Sequence, residues 1–256
     1  MNQGRLQEIL DEKAKQYNSI AFIAADPISI PHRFSVLQDI EIAGFFAATL
    51  AWGNRKSIIR SSLKLLQLMD NAPYDFVLHF QEKDLKPFVQ FVHRTFNGTD
   101  TIYFLNFLQQ HYKKNESLAS AFFSQIHSEK PVEEGLNGFR RYFFDSEYAP
   151  QRTRKHIAAP ERGAACKRLN MFLRWMIRKD QAGVDFGLWS DIKPSDLICP
   201  LDVHVSRVAR NLGLLNRKQN DWKAALELTQ ALRLLHPEDP VKYDYALFGM
   251  GVMEKI

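Results

Sequence analysis

Between Val36 and Trp52 the chain reads VLQDIEIAGFFAATLAW. Wound as a helix, this stretch is apolar on nearly every side. Such a helix cannot lie at a surface, so other elements must surround it. Gly53 stops it, and Asn54 is placed to cap the following helix, RKSIIRSSLKLLQLM. Elsewhere helical periodicity dominates and strand alternation is absent. Leu6, Ile9, Leu10 and Ala14 line one side of a first amphipathic helix, and ADPISIPHRF is a loop broken by two prolines. Helices are expected over 74–81, 83–93, 100–114, 117–127 and 132–144. The pattern predicts an all-α, multi-helix fold.

Many of the 19 phenylalanines fall in those middle helices. Aromatic residues at helical spacing predict a packed core; a surface on which bases stack is the alternative. From 145 to about 163 the sequence is basic and loop-like, before AACKRLNMFLRWMIRK forms a strong helix. Its apolar stripe is Cys166, Leu169, Leu173, Met176 and Ile177. Lys167, Met171, Arg174 and Arg178 run along another side at i, i+4, i+7 and i+11. Residues 180–199 form an irregular insertion. Gly213 ends the next helix, and Asp221 and Asp239 are candidate caps for the last two.

The 256 residues, 45% hydrophobic, suffice for one large core or two small ones. The longest weakly polar run, residues 42–53, is too short for a bilayer, which needs about 20 residues. The N-terminus MNQGRLQEILDEK lacks the apolar core of a signal peptide, so a cytoplasmic location is expected. Two cysteines fit a reducing compartment. Cys166, Cys199, His156 and His204 match no usual metal-ligand spacing, so no metal site is expected. The net charge of +5 is uneven. Residues 151–179 hold nine basic residues against Glu161 alone, a net of +8, so the remainder carries −3. A basic segment on a mildly acidic body is either an anion-binding face, with nucleic acid as its first partner, or a solvated helix face.

The segment LICPLDVHVSRVARNLGLL, residues 197–215, admits two readings. In one, Asp202 is an N-cap, Val205, Val208, Ala209 and Leu212 face the core, and Arg207 and Arg210 are exposed. In the other, the same capped carboxylate is held ionised and fixed in direction. It then stabilises a developing cation such as the sugar in glycosidic cleavage.

P-L-D-V-H-V-S-R-V-A-R-N-L-G-L resembles the P-V-D-x-H-V-x-R-V-x-x-R-L-G-L segment of helix-hairpin-helix DNA glycosylases. By this resemblance Asp202 is the catalytic carboxylate, with His204 and Arg207 in register. Bifunctional members carry a catalytic lysine upstream, which places Lys167, in G-A-A-C-K-R-L-N, in that role. APERGAACK stands where the usual L-P-G-V-G-x-K hairpin would be, and 35 residues separate Lys167 from Asp202. A long insertion and a degenerate hairpin are similar to the archaeal 8-oxoguanine glycosylase branch. GFFAATLAWGNRKSII is similar to the superfamily's helix-loop-helix, which makes Asn54 and Arg55 candidate DNA contacts.

The resemblance implies a two-lobed, single all-α domain over 1–256, with a cleft between lobes. Lobe one is 54–160; lobe two is discontinuous, 1–53 plus 161–256. It implies a base-excision enzyme, with or without AP lyase activity, acting on an extruded damaged base. Damaged duplex DNA is the expected partner, with RNA as the other nucleic acid to consider. Arg152, Arg154, Lys155, Arg162, Arg168 and Arg174 are the further phosphate-contact candidates, and Trp175, Phe186 and Trp189 the base-pocket candidates. No cofactor is implied, since no cysteine follows Cys199 to hold an iron–sulfur cluster. The alternative is a nucleic-acid-binding module of the same fold without catalysis. Over most of its length the chain also resembles an uncharacterised bacterial family, in the blocks FFAATLAWGNRKSII, ACKRLNMFLRWMIR, PLDVHVSRVARNLGLL and DPVKYDYALFG.

Overall fold

The computed structural model describes residues 2–124 and 128–254. The chain is mostly helical: α1 (Gln3–Tyr17), α2 (Ile20–Ile23), α3 (Leu37–Thr49), α4 (Arg55–Leu68), α5 (Pro73–His79), α6 (Gly98–Tyr112), α7 (Ala119–Phe123), α8 (Pro131–Phe143), α9 (Lys167–Ile177), α10 (Val203–Asn211), α11 (Trp222–Leu235) and α12 (Tyr243–Gly249). The last runs on into a π-helical turn, Met250–Glu254. A two-residue antiparallel hairpin, β1 (Val92–His93) with β2 (Phe96–Asn97), pairs Val92 with Asn97 and His93 with Phe96. No helix among the described residues is long and apolar enough to cross a membrane.

Local chemistry explains most boundaries. Asn2, Asn54, Asn97, Asp202 and Asp221 each cap a helix by accepting a backbone N–H. Gly213 adopts φ +74° after α10, and the Leu214 N–H closes back on the Ala209 carbonyl at 2.8 Å. The α-helix expected over 83–93 is instead a 3-10 helix, Glu82–Gln90, followed by β1. Pro87 lies inside it and has no N–H for an α-helical bond. Asp239 makes no side-chain cap; its Oδ2 accepts from Arg178. The last three positions of the helix expected over 117–127 lie outside the described residues.

The chain divides into two compact units: Met1–Phe22, Ser128–Glu134 and Ala158–Ile256 form the first, Ile23–His127 and Gly135–Ile157 the second. Residues 23–53 thus belong with the segment that follows them, whereas the expected lobe boundary put them with the C-terminal half. The reason is α3, which packs on α4 and α5 of its own unit.

In the second unit, every residue of α3 from Ile40 to Thr49 is buried, as its uniform apolarity requires. The exception in chemistry is Glu41. Its carboxylate accepts from the Tyr112 hydroxyl at 2.7 Å, the Leu118 N–H at 2.9 Å and the Ser117 hydroxyl. A buried carboxylate without such donors would be strongly unfavourable. Around α3 the rings of Phe45, Phe46, Phe96, Phe104, Phe139 and Phe143 form a continuous core. Gly98 opens α6 directly against the Val89 carbonyl, closer than any Cβ could approach. Gly98→Ala is therefore expected to destabilise the protein by about 1–3 kcal/mol, read from urea unfolding, because backbone rather than a flexible side chain must give way.

In the first unit, α1 packs along α12, with the Tyr17 ring lying on Gly249. Helix α9 is buried without interruption from Leu169 to Ile177, on more sides than its apolar stripe suggested. The irregular segment after it supplies the cover. The N–H of Phe186 bonds the Trp175 carbonyl at 2.8 Å, and those of Leu188 and Trp189 bond the Met176 carbonyl at 2.6 and 2.9 Å. The unpaired carbonyls at the end of α9 are thereby satisfied.

Candidate functional site

Both catalytic candidates stand at helix starts in the first unit. Before α9, Gly163 turns the chain at φ +73°. Its carbonyl accepts the Trp222 N–H at 3.1 Å, and Ala164 bridges Asp221. Cys166 then holds a left-handed conformation, φ +51°, unusual for a non-glycine residue. Lys167 follows as the first helical residue. The turn that aims this lysine is therefore pinned to α11 and contains local backbone strain, a feature that clusters at functional sites.

Asp202 is reached through the buried stretch Leu197–Leu201. One carboxylate oxygen, Oδ1, accepts the His204 and Val205 N–H groups, both at 2.9 Å. The other, Oδ2, lies 3.9 Å from Lys167 Nζ. That is an ion-pair contact and longer than a hydrogen bond. The side chains are 26% and 20% exposed, so solvent or a ligand reaches both. The two sequence readings of Asp202 are thus compatible: one oxygen caps the helix while its neighbour meets the amine.

Deeper in the unit lies a buried charge network. Arg174 bonds Asp185 at 3.3 Å and also contacts Asp244. Arg178 reaches Asp180 at 2.7 Å, Asp239 at 2.8 Å and Asp185 at 3.0 Å. Both guanidiniums lie over the Tyr245 ring, at 4.2 and 5.6 Å. Burial opposes the charge on Arg178, but Asp185 and Asp239 outweigh it and hold the guanidinium above its ordinary range. Burial raises the Asp244 carboxyl to about 6, against the pull of Arg174.

This network corrects the expected basic face. Arg174 and Arg178 are 4% and 3% exposed, enclosed by aspartates within their own unit. Arg174 is not available to a phosphate. Arg168 is half-buried, and burial lowers its guanidinium to about 10. Arg162 is exposed. Arg207 is exposed, and its guanidinium donates to the Gly251 carbonyl at 2.7 Å. His204 lies edge-on to Phe248.

The remaining contact candidates belong to the second unit. Asn54 is exposed and accepts the Ser57 N–H at 3.4 Å, the capping role. Arg55 beside it is half-buried. Arg152 donates to the Thr95 carbonyl at 3.0 Å and lies 3.4 Å from the buried Asp100. Arg154 lies over the Phe144 ring at 5.0 Å, and Lys155 is exposed.

Two of the three base-pocket candidates are placed in the core. Trp175 has no exposed surface and so offers no face to a base. Trp189 is buried edge-on against Phe172, with centroids 5.4 Å apart, and Phe186 is half-buried. Phe186 and Trp189 belong to the segment that covers α9, which the sequence pattern had left partly open.

Asp185, Asp239 and Asp244 enclose Arg174 and Arg178, and only Asp239 had been singled out, as a cap. No local pattern marks them, since Asp239 and Asp244 lie 61 and 70 residues from their arginines. Among the described residues, no three His, Cys, Asp or Glu side chains gather where a metal could bind. Cys166 and Cys199 are both buried and unbonded to each other.

Neither a curated protein nor a solved structure matches this chain. A family model does, over residues 26–253, and that span takes in α3, the whole charge network and both members of the Lys167–Asp202 pair. The chain belongs to the family described as "Protein of unknown function (DUF2400)".

Proposed function

We propose that the protein is a DNA base-excision glycosylase with AP lyase capability, acting through Lys167 and Asp202 on an extruded nucleotide. What supports this most is the 3.9 Å approach of an accessible lysine amine to a carboxylate fixed by two backbone N–H groups. The two residues are 35 apart in sequence and share no helix, and they are the pair marked by the resemblance to helix-hairpin-helix glycosylases.

The chemistry follows from that placement. The neutral Lys167 amine attacks C1′ of the nucleotide, and the glycosidic electron pair leaves with the base, which takes a proton from water. Positive charge builds on the sugar as this bond breaks. Asp202 Oδ2 faces it, already oriented, so no reorganisation is needed at the moment of reaction. Ring opening leaves a Schiff base between Lys167 and C1′. Loss of a C2′ proton then expels the 3′ phosphate.

The test uses duplexes carrying 8-oxoguanine, uracil, an alkylpurine or an abasic site, with borohydride present. A covalent adduct is expected with the wild-type protein and none with Lys167→Gln. Asp202→Asn, which keeps a capping side chain, is expected to slow base release about 10²–10³-fold. Salt-sensitive binding of all four duplexes without an adduct would sink the catalytic reading and favour a nucleic-acid-binding module.

A further inference from the structure

Behind Lys167 and Asp202 lies a carboxyl group that neither the motif nor the proposed chemistry uses. Asp244 stands in the first turn of α12 and is 6% exposed. Helix α12 packs on α10, the helix that Asp202 caps. The Asp244 carboxylate contacts Arg174. Arg174 follows Lys167 by seven residues, two turns along the same side of α9. Several titratable groups of the first unit bear electrostatically on Asp244. They are Lys167 and Arg174 from α9, Asp185 from the segment after α9, Cys199 from the stretch before α10, and Asp202 from its cap.

We infer that Asp244 is a positioning residue for the Lys167–Asp202 pair, its charge coupled to theirs. The coupling stands on the placement of these side chains; its catalytic consequence rests on the proposed role of Lys167. Two ionised carboxylates near one amine both favour the ammonium form. The nucleophile must be the neutral amine. A proton held on Asp244 removes one of the opposing charges and leaves Asp202 alone beside the lysine. Burial raises the Asp244 carboxyl to about 6. Arg174 and Lys167 pull in the other direction, while Asp202 and Asp185 raise it further.

Coupling of this kind is reciprocal. Lys167→Met removes a positive charge and must make Asp244 harder to ionise. Asp202→Asn removes a negative charge and must make it easier. Carbon-13 NMR of the Asp244 carboxyl across pH reads both, with the full chain and no substrate. Both variants should fold, since Lys167 is partly exposed and asparagine is a good N-cap. The expected result is a midpoint raised by about one pH unit in the first and lowered by about one in the second. Exposed Arg162→Gln should leave it where it was. Midpoints unmoved in both site variants would overturn the inference.

A second readout is the pH profile of borohydride trapping on an abasic duplex. In Asp244→Asn the rising limb should move to lower pH. A residue that only holds the fold would lower the yield at every pH without moving the limb, and that outcome would also overturn the inference. Shifted NMR midpoints with no adduct at any pH would uphold the coupling and reject the repair activity. An adduct with unshifted midpoints would do the reverse. Should Asp244→Asn not fold, the two NMR titrations decide alone.

Discussion

Replacing Arg178 by methionine is expected to destabilise the first unit by about 3–5 kcal/mol, the loss typical when one partner of a buried ion pair is removed. Arg178 contacts three carboxylates, and the most enclosed of them, on Asp185, has no exposed side-chain surface. Without the guanidinium, Asp185 loses its 3.0 Å bond and Asp239 its 2.8 Å bond. Methionine fills much of the same volume, so lost packing contributes little and the effect reports charge. Equilibrium urea unfolding measures it. The competing view, in which the α9 arginines are phosphate contacts, makes a different forecast. There Arg178→Met leaves stability within about 0.5 kcal/mol of wild type and weakens DNA binding with a shallower salt slope. A large stability loss excludes that view, and an unchanged midpoint of unfolding would exclude the buried network.

Phe104→Ala is expected to produce a loss of similar size, about 3–5 kcal/mol. Phe104 is wholly buried in the second unit, with ring centroids of Phe143 at 4.7 Å, Phe96 at 5.2 Å, Phe45 at 5.4 Å and Phe46 at 5.9 Å. Four large neighbours cannot close the gap together, because each is held by other rings: Phe45 by Phe139, and Phe143 by Phe107. The cavity therefore persists, and the loss lies towards the upper end for such changes. Phe104→Leu, which keeps most of the volume, should recover more than half of it. Equilibrium urea unfolding of both variants provides the measurement. A loss under about 1 kcal/mol for the alanine variant would contradict a packed aromatic core, and weakened nucleic-acid binding at unchanged stability would restore the stacking surface.

The sequence by itself determined most of the helices and many of their ends. Apolar spacing along α3 and α9, the asparagine and aspartate caps and the turn at Gly213 involve residues within a few positions of one another, so short-range chemistry decides them. It also marked Lys167 and Asp202, because a motif and a helix start are local features. Tertiary structure alone decided which charges face water. Arg174 and Arg178 look like a basic stripe until Asp185, Asp239 and Asp244 arrive from later in the chain to enclose them. It alone decided that Trp175 and Trp189 are core, since the irregular segment that covers α9 has no periodicity from which its path could be read. Neutralisation of a buried charge depends on distance in space, and a linear pattern carries that distance only when the partners are neighbours along the chain.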